Sequence, residues 1–292
     1  MNIGGATRVV GVIGWPVQHS CSPQMQNAAL AELGLDWVYV ALPVAPEAVP
    51  AAVEGVRALG MPGINVTIPH KQAVAELMDE LDESARVLAA ANTVCRMDDR
   101  LVGYNTDGPG LVRSLEEAGE AVAGRRVALF GAGGSARAVA WALADAGVAS
   151  LNIINRTPEK AVAVAALVNE ATGREVATPH PLSDAGNRDL VAASDIVIDT
   201  TDVGMYPNAS VPPIVPPEWL RAGQTVCDIT YNPRETVLLR AAQERGARTV
   251  DGLGMLVHQG AIALELWTGR EAPVGTMRRA LEEALAQRRE EA

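Results

Sequence analysis

The most informative chemistry in this sequence lies in a glycine-rich turn. An apolar stretch that ends at Phe130 is followed by Gly-Ala-Gly-Gly-Ser-Ala, residues 131–136, and then at once by an alanine-rich stretch. This is the G-x-G-x-x-A form of the dinucleotide-binding fingerprint, in which the first glycine allows a tight turn and the second lets the backbone approach a diphosphate. The alternative is a glycine-rich turn that binds nothing, but strand, turn and helix are in register. We therefore assign predicted diphosphate contacts to Gly131, Ala132, Gly133, Gly134, Ser135 and Ala136, at the start of a helix.

The end of the next predicted strand indicates which dinucleotide is bound. An NAD site usually has Asp or Glu there, which accepts hydrogen bonds from the ribose 2′-hydroxyl. Here the strand ends in Asn155, Arg156 and Thr157, and the first carboxylate is Glu159. Because Arg156 would pair with a 2′-phosphate through charge-assisted hydrogen bonds, the sequence favours NADP. The alternative is that Arg156 is a solvated charge at the end of a strand.

A second candidate for chemistry is the stretch NVTIPHK, residues 65–71. Three β-favouring residues run into Pro69, and a His and a Lys follow. Taken alone, Lys71 is best interpreted as an exposed charge at the end of a strand. Ser22 precedes Pro23 and is predicted to be the N-cap of a helix, where its hydroxyl could also bind a carboxylate.

The composition argues against several classes of function. The chain has 292 residues, 48% apolar and 20% charged, which predicts a globular protein large enough for two domains. The net charge of −11 and the lack of a basic stripe argue against nucleic-acid binding. No apolar run reaches the roughly 18 residues of a membrane span, and no signal peptide is evident, so we expect a cytoplasmic protein. Three scattered cysteines and four histidines without metal-like spacing predict free thiols and no metal site.

Two α/β units must position the candidate residues. Short apolar runs alternate with alanine-rich helical stretches, which is typical of parallel α/β packing. The series restarts after the glycine-rich stretch NTDGPG, residues 105–110. We therefore predict two α/β domains, with a small ligand bound in the cleft between them.

Seven motifs, in order over nearly the whole chain, resemble the shikimate dehydrogenase family. They are GWPVQHSCSP (14–23), NVTIPHK (65–71), ANTV (91–94), GYNTDG (103–108), GAGGSARA (131–138), NRT (155–157) and DGLGMLVHQGAIALELWTG (251–269).

The resemblance implies a fold and a reaction. It implies an N-terminal substrate domain with a mostly parallel sheet, residues 1–107, completed by C-terminal helices at 255–292. Residues 108–254 would form a Rossmann NADP-binding domain. The implied reaction is the reversible, NADP-dependent reduction of 3-dehydroshikimate to shikimate in chorismate and aromatic amino acid biosynthesis, by a monomer or homodimer.

Individual residues take roles by the same resemblance. Lys71 and Asp107 match the catalytic pair. The positions that match substrate contacts are Ser20 and Ser22 for the carboxylate, Thr67, Asn92 and Gln259 for ring hydroxyls, and Asp107 and Tyr231. The further positions that match cofactor contacts are Glu83, Ile229 and Gly252. Hydride transfer to a ketone leaves negative charge on oxygen, so Lys71 would either donate a proton or mainly stabilise that charge.

Alternatives remain for several of these residues. Apart from the resemblance, Lys71 and Asp107 could form an interdomain ion pair, Asn92 could cap a helix, and Gln259 could be a polar helix residue.

The sequence also departs from the family. Asp199-Thr-Thr-Asp202 stands where N-A-T-S is common, so that two carboxylates either disturb the cofactor loop or are solvated beside it. Gln26 stands where His is frequent, and Trp15 where a smaller or polar residue is usual.

These departures leave the substrate less certain than the reaction. The closest rival is a quinate/shikimate or aminoshikimate dehydrogenase with broader substrate or cofactor use. A non-catalytic ligand sensor of the same fold and a purely structural Rossmann-like module are the rivals from other classes. An intact lysine, aspartate and glycine loop argues against both.

Overall fold

The chain forms two compact units in a computed structural model that describes residues 3–291. The first unit comprises the residues up to Thr106 together with those from Val257 onward, and the second comprises Asp107–Leu256. The last boundary falls inside one helix, Gly252–Thr268. The two-domain α/β fold predicted from the sequence is confirmed.

The first unit is built on a mixed sheet. Its strands are β1 (Arg8–Gly14), β2 (Trp37–Pro43), β3 (Gly63–Val66), β4 (Glu80–Leu81), β5 (Thr93–Met97) and β6 (Arg100–Tyr104). Its helices are α1 (Ser22–Glu32), α2 (Val49–Ala58), α3 (Lys71–Ala75), α4 (Glu83–Leu88) and, at the C-terminal end, α11 (Val274–Glu291).

The strand order of this sheet is β2-β1-β3-β5-β6-β4. Strand β5 is antiparallel to both of its neighbours, and the other pairs are parallel. Strand β1 (RVVGVIG) lies near the middle and its last five residues are buried, as expected for an apolar strand with both faces covered. One face of the sheet packs Ile13 and Ile64 against Val53 and Val74 from the helices on that side.

The second unit is a Rossmann domain. Its strands are β7 (Arg126–Phe130), β8 (Ser150–Asn155), β9 (Ala177–Pro181), β10 (Ile196–Asp199), β11 (Thr225–Asp228) and β12 (Arg248–Val250). Its helices are α5 (Asp107–Glu117), α6 (Gly134–Asp145), α7 (Pro158–Thr172), α8 (Asn187–Ala193), α9 (Val237–Glu244) and the start of α10 (Gly252–Thr268).

All strand pairs described in this sheet are parallel, in the order β12-β11-β10-β7-β8-β9. The chain runs from β7 outward through β8 to β9, and then returns to the other side of β7 to form β10. In such a doubly wound sheet, ligands bind at the carboxyl ends of the strands where the winding direction changes. That point lies between β7 and β10.

Packing on both faces of the second sheet follows the alternation along its strands. Leu129 and Ile153 lie in one apolar cluster, and Phe130 and Ile154 lie in the cluster on the opposite face.

Within the described residues, no helix is long and apolar enough to span a membrane. A search of the same residues finds no His, Cys, Asp and Glu cluster that could hold a metal ion.

Candidate active site

Four connections of the first sheet meet at one edge. Strands β1 and β3 are parallel and end at this edge, and the antiparallel β5 begins there, because Asn65 pairs with Thr93. Strand β6 ends there too, since Thr93 pairs with Tyr104. The predicted substrate residues Ser20, Ser22, Thr67 and Asn92 and the predicted catalytic residue Lys71 all lie in or next to these connections. The antiparallel course of β5 is what brings Asn92 to the same edge as Thr67.

Backbone hydrogen bonds hold the connections after β1 and β3 together. The Thr67 amide donates to the Ile13 carbonyl over 2.9 Å, and the Trp15 amide donates to the Ile68 carbonyl over 3.2 Å. Gly14 lies against Thr67 and leaves no space for a side chain. The serine-bearing loop is therefore fixed beside Thr67.

Lys71 is the first residue of α3 and is half-buried. Its carbonyl accepts a hydrogen bond of 2.9 Å from the Ala91 amide, which ties it to the residue before Asn92. The neighbouring His70 is buried and its Nε2 lies 2.7 Å from the Val44 carbonyl, so His70 has a packing role. Lys71 therefore begins a helix at the polar edge, and it is not an isolated exposed charge at the end of a strand.

The predicted N-cap role of Ser22 is wrong. Helix α1 has Cys21 at its N-cap position, with no side-chain cap, and Ser22 is the first helical residue. The Ser22 amide donates to Ser20 Oγ over 3.2 Å. The Ser20 hydroxyl and the first turn of α1 are therefore held together.

Asn92 is held by the loop after β6. Its Oδ1 accepts from the Thr106 amide over 2.8 Å, and its Nδ2 donates to Thr106 Oγ1 over 3.0 Å. Helix α4 ends earlier, with Ala89 as its C-cap. Asn92 is therefore not a helix cap, and it is anchored to the residue that precedes Asp107.

Gln259 lies on α10, half-buried and one residue before Gly260. The Gly260 carbonyl accepts a hydrogen bond of 2.9 Å from Nε2 of Gln26, which is fully buried on α1. Gln26 Oε1 has no hydrogen-bond partner among the described residues. The glutamine that replaces the usual histidine therefore connects the helix of Ser22 to the helix of Gln259.

In the second unit, the predicted cofactor residues lie at the carboxyl edge of the sheet. Gly131 follows β7, and its amide donates to the Ile154 carbonyl of β8 over 3.0 Å. Gly131 has a φ of 111°, which favours glycine, and a Cβ there would collide with Thr200 Oγ1. Thr200 in turn donates from its amide and its hydroxyl to the Phe130 carbonyl, over 2.9 and 2.6 Å. Sequence reasoning missed Thr200, because only the pairing of β7 with β10 places it beside the glycine turn.

The remainder of the glycine turn is open to a ligand. A Cβ added at Gly133 or Gly134 would meet no heavy atom within 4 Å, and both residues are exposed. Gly133 is the N-cap of α6, where no side chain of the described residues makes a cap hydrogen bond. Ala136 is fully buried against the sheet. Uncapped N–H groups on an open backbone fit a diphosphate.

Asn155, Arg156 and Thr157 lie next to this turn, at the end of β8. Arg156 and Thr157 are exposed, and Asn155 Nδ2 donates to the Thr157 carbonyl over 2.9 Å. The nearby Glu159 begins α7 and is also exposed. An exposed guanidinium adjacent to a diphosphate-binding turn fits the 2′-phosphate of NADP.

The two unusual carboxylates of the β10 loop differ in environment. Asp202 is exposed, whereas Asp199 is only 1% exposed and pairs in register with Asp228, itself 1% exposed, on β11. Asp199 Oδ1 accepts from the Thr201 amide, and Asp228 accepts from the Thr230 amide and the Thr236 hydroxyl. Of the two alternatives left by the sequence, solvation beside the loop is therefore wrong for Asp199.

Burial and the facing carboxylate change the protonation of Asp199. Burial first, and the charge of Asp228 second, raise the pKa of Asp199 to about 7. Burial also raises the pKa of Asp228, while the hydrogen bonds from Thr230 and Thr236 oppose that rise. Since Asp228 has more donors to stabilise its charge, we place the proton of the pair on Asp199.

The remaining predicted residues fall into separate places. Gly252 packs directly on the backbone of Ile229 and donates from its amide to the Thr230 carbonyl over 3.1 Å, and Tyr231 follows in the same segment. Asp107 begins α5 in the second unit. Glu83 lies in the first unit, exposed on α4, with a carboxylate 3.6 Å from the Arg86 guanidinium. Thus Ile229, Tyr231 and Gly252 belong to the second unit, and Glu83 belongs to the first.

The Rossmann domain, its open glycine turn and the polar edge of the first sheet define the class of protein. They are the features of a two-domain, dinucleotide-dependent oxidoreductase.

Comparison with known proteins identifies the family. Three family models match the chain. The model for the shikimate dehydrogenase substrate binding domain matches residues 12–94, and the model for shikimate/quinate 5-dehydrogenase matches residues 114–225. The model for the shikimate 5′-dehydrogenase C-terminal domain matches residues 252–282. The shikimate dehydrogenase (NADP(+)) of Moorella thermoacetica is 49% identical over 98% of this chain and 96% of its own length. The chain belongs to the shikimate dehydrogenase family.

Solved structures agree with this membership. Shikimate 5-dehydrogenase from Listeria monocytogenes, in complex with shikimate and NAD, has a TM-score of 0.92 at 37% identity, covering 96% of this chain and 98% of that one. The Thermus thermophilus enzyme, in complex with NADP(H) and shikimate, has a TM-score of 0.83 at 34% identity, covering 95% of this chain and 99% of that one.

Proposed function

We propose that this protein is an NADP-dependent shikimate dehydrogenase, which reversibly reduces 3-dehydroshikimate to shikimate in the biosynthesis of chorismate and the aromatic amino acids. The observation that carries the proposal is the 49% identity, over 98% of the chain, to a protein named shikimate dehydrogenase (NADP(+)). The open glycine turn and the exposed Arg156 support NADP as the cofactor.

The reaction requires a group that handles charge on the carbonyl oxygen. Bound NADPH supplies the hydride, and negative charge then develops on that oxygen, so a donor must lie within hydrogen-bond reach. We assign this role to Lys71, with Asp107 holding the ammonium group and accepting a substrate hydroxyl. The residue type supports the assignment: only Lys71 and Lys160 are lysines among the 24 Lys and Arg residues. Arginine carries its charge but does not give up its proton in proteins.

The substrate would be bound by neutral polar groups at the edge of the first sheet. We propose that Ser20 and Ser22 bind the carboxylate, and that Thr67, Asn92 and Gln259 bind ring hydroxyls, with Tyr231 as a further contact. The support from the structure is that three of these residues, Ser20, Thr67 and Asn92, lie in connections that meet at one edge. Ser22 opens the helix after the first of those connections.

Steady-state kinetics test the function. We expect shikimate with NADP to give the highest kcat/KM in a matrix of shikimate and quinate against NADP and NAD. Quinate carries an additional ring hydroxyl, and NAD lacks the 2′-phosphate. A higher kcat/KM with quinate would instead support the quinate/shikimate alternative. Absence of turnover with every pair, by a protein that binds NADP, would support a sensor.

Replacement of Arg156 by alanine tests the cofactor assignment. We expect KM for NADP to rise about 10-fold or more, because charge-assisted hydrogen bonds contribute roughly 1.5–3 kcal/mol. KM for NAD should change little, since NAD has no 2′-phosphate. The matched control is Arg245→Ala, an exposed arginine just after α9 and before β12, at the opposite edge of the sheet. Equal changes in KM for both cofactors in Arg156→Ala would refute the assignment.

We also propose that the protein acts in the cytoplasm as a monomer or homodimer. All three cysteines are free and buried, as is common in a reducing compartment. Light scattering of the purified protein distinguishes the two oligomeric states.

A further inference from the structure

A continuous chain of buried hydrogen bonds runs beneath the polar edge of the first sheet. Tyr39, on β2, is 1% exposed, and its hydroxyl lies 2.8 Å from Asn65 Oδ1. Asn65 Nδ2 lies 3.0 Å from Thr93 Oγ1, and that hydroxyl lies 3.1 Å from Asn92 Oδ1. The chain therefore connects Tyr39 to Asn92 through Asn65 and Thr93.

Two backbone groups fix the direction of every bond in this chain. The Asn92 carbonyl, which can only accept, lies 3.3 Å from Asn65 Nδ2, so Asn65 must turn its Oδ1 toward Tyr39. At the far end the Thr106 amide, which can only donate, lies 2.8 Å from Asn92 Oδ1. Tyr39 therefore donates to Asn65, and Thr93 accepts from Asn65 and donates to Asn92. Tyr39 is thus the first donor of the chain.

The chain depends on the Tyr39 hydroxyl. Tyr39 is buried, and burial raises the pKa of its phenol. Loss of the phenol hydroxyl would leave Asn65 Oδ1 without its donor in a buried site and would release the orientation of the Asn65 amide.

We propose that Tyr39 is a positioning residue, which sets the orientation of the Asn92 amide through Asn65 and Thr93. A contact for a ring hydroxyl is thus set by a buried tyrosine at the other end of one hydrogen-bonded chain. This inference rests on the proposed function, because Asn92 is a proposed substrate contact.

The Tyr39→Phe variant, which removes only the hydroxyl, tests the proposal. We expect KM for shikimate to rise about 10-fold, as for the loss of one well-placed hydrogen bond, with kcat within about twofold and KM for NADP unchanged. Tyr104→Phe, on β6 and outside the chain, is the matched control and should leave all three constants unchanged. An unchanged KM for shikimate in Tyr39→Phe would overturn the proposal.

A double-mutant cycle separates positioning from a general loss of stability. If Tyr39 acts through Asn92, Tyr39→Phe should have little further effect on KM in an Asn92→Ala background. Independent, multiplying effects would show that Tyr39 is only structural and would overturn the proposal. If Tyr39→Phe does not fold, Thr93→Val interrupts the same chain, and Thr93→Ser should restore KM. An equal KM for the valine and serine variants would contradict the chain.

The wild-type protein distinguishes this inference from the function on which it rests. A wild-type protein that does not interconvert shikimate and its ketone with NADP would refute the proposed function. An active wild type with an unaffected Tyr39→Phe variant would refute only the positioning role.

Discussion

Replacement of Lys71 by alanine is expected to lower kcat for shikimate oxidation by about 10²-fold or more, the range for a removed acid–base group. The physical reason is that charge on the reacting oxygen then lacks its donor, while the proposed cofactor contacts at the glycine turn and Arg156 lie in the second unit. NADP binding, measured by fluorescence titration, should be unchanged. Lys160→Ala is the matched control, because Lys160 is the chain's other lysine and is exposed on α7.

The Lys71→Arg variant distinguishes the two roles that remain for this residue. Arginine keeps the positive charge but does not release a proton in the accessible pH range. If Lys71 donates the proton, the arginine variant should be as slow as the alanine variant. If it mainly stabilises negative charge, the arginine variant should recover a substantial part of kcat. Wild-type turnover in Lys71→Ala would remove Lys71 from the mechanism altogether.

Replacement of Asp199 by asparagine is expected to stabilise the protein increasingly as the pH rises from about 4 to about 7. A carboxyl in the unfolded chain titrates near pH 4, whereas the pKa of Asp199 in the fold is raised to about 7 by burial and by Asp228. Between these values the folded state binds more protons, so wild-type stability falls as the pH rises and then levels off above about pH 7. Asparagine has no charge to bury. Its advantage should be small at pH 4 and on the order of 3 kcal/mol at pH 8.

The difference in Tm between the Asp199→Asn variant and the wild type, recorded from pH 4 to pH 8, measures this effect. Asp202→Asn is the control in the same loop, since that carboxylate is exposed and should give a difference that does not depend on pH. A Tm difference for Asp199→Asn that is constant over the whole range would contradict the raised pKa of Asp199.

The parts of the site that depend on a few consecutive residues could be predicted from the sequence. The turn at Gly131 requires a positive φ that glycine tolerates, and the helix that follows it starts where the pattern predicts. Arg156 directly follows β8, as the apolar run before it predicted. Such features could be predicted because the backbone geometry of a strand, turn and helix is set within about ten residues of sequence.

Local patterns misled at two places. Ser22 before Pro23 is a typical N-cap sequence, yet α1 has Cys21 at its N-cap position and Ser22 is its first helical residue. Asp199 was expected to disturb the loop or to be solvated, and it instead lies buried, in register with Asp228 on the next strand. Strand pairing decides the environment of Asp199, and pairing depends on the whole sheet.

The sequence by itself determined the family, the two α/β units and the dinucleotide turn, because those depend on ordered motifs and on short-range backbone geometry. Only the tertiary structure decided which side chains are neighbours. It placed Thr200 against Gly131, paired Asp199 with Asp228, and linked Tyr39 to Asn92 through Asn65 and Thr93. These contacts join residues far apart in the chain. They exist because strand order and register, which no local pattern specifies, bring the strand ends together at one edge of each sheet.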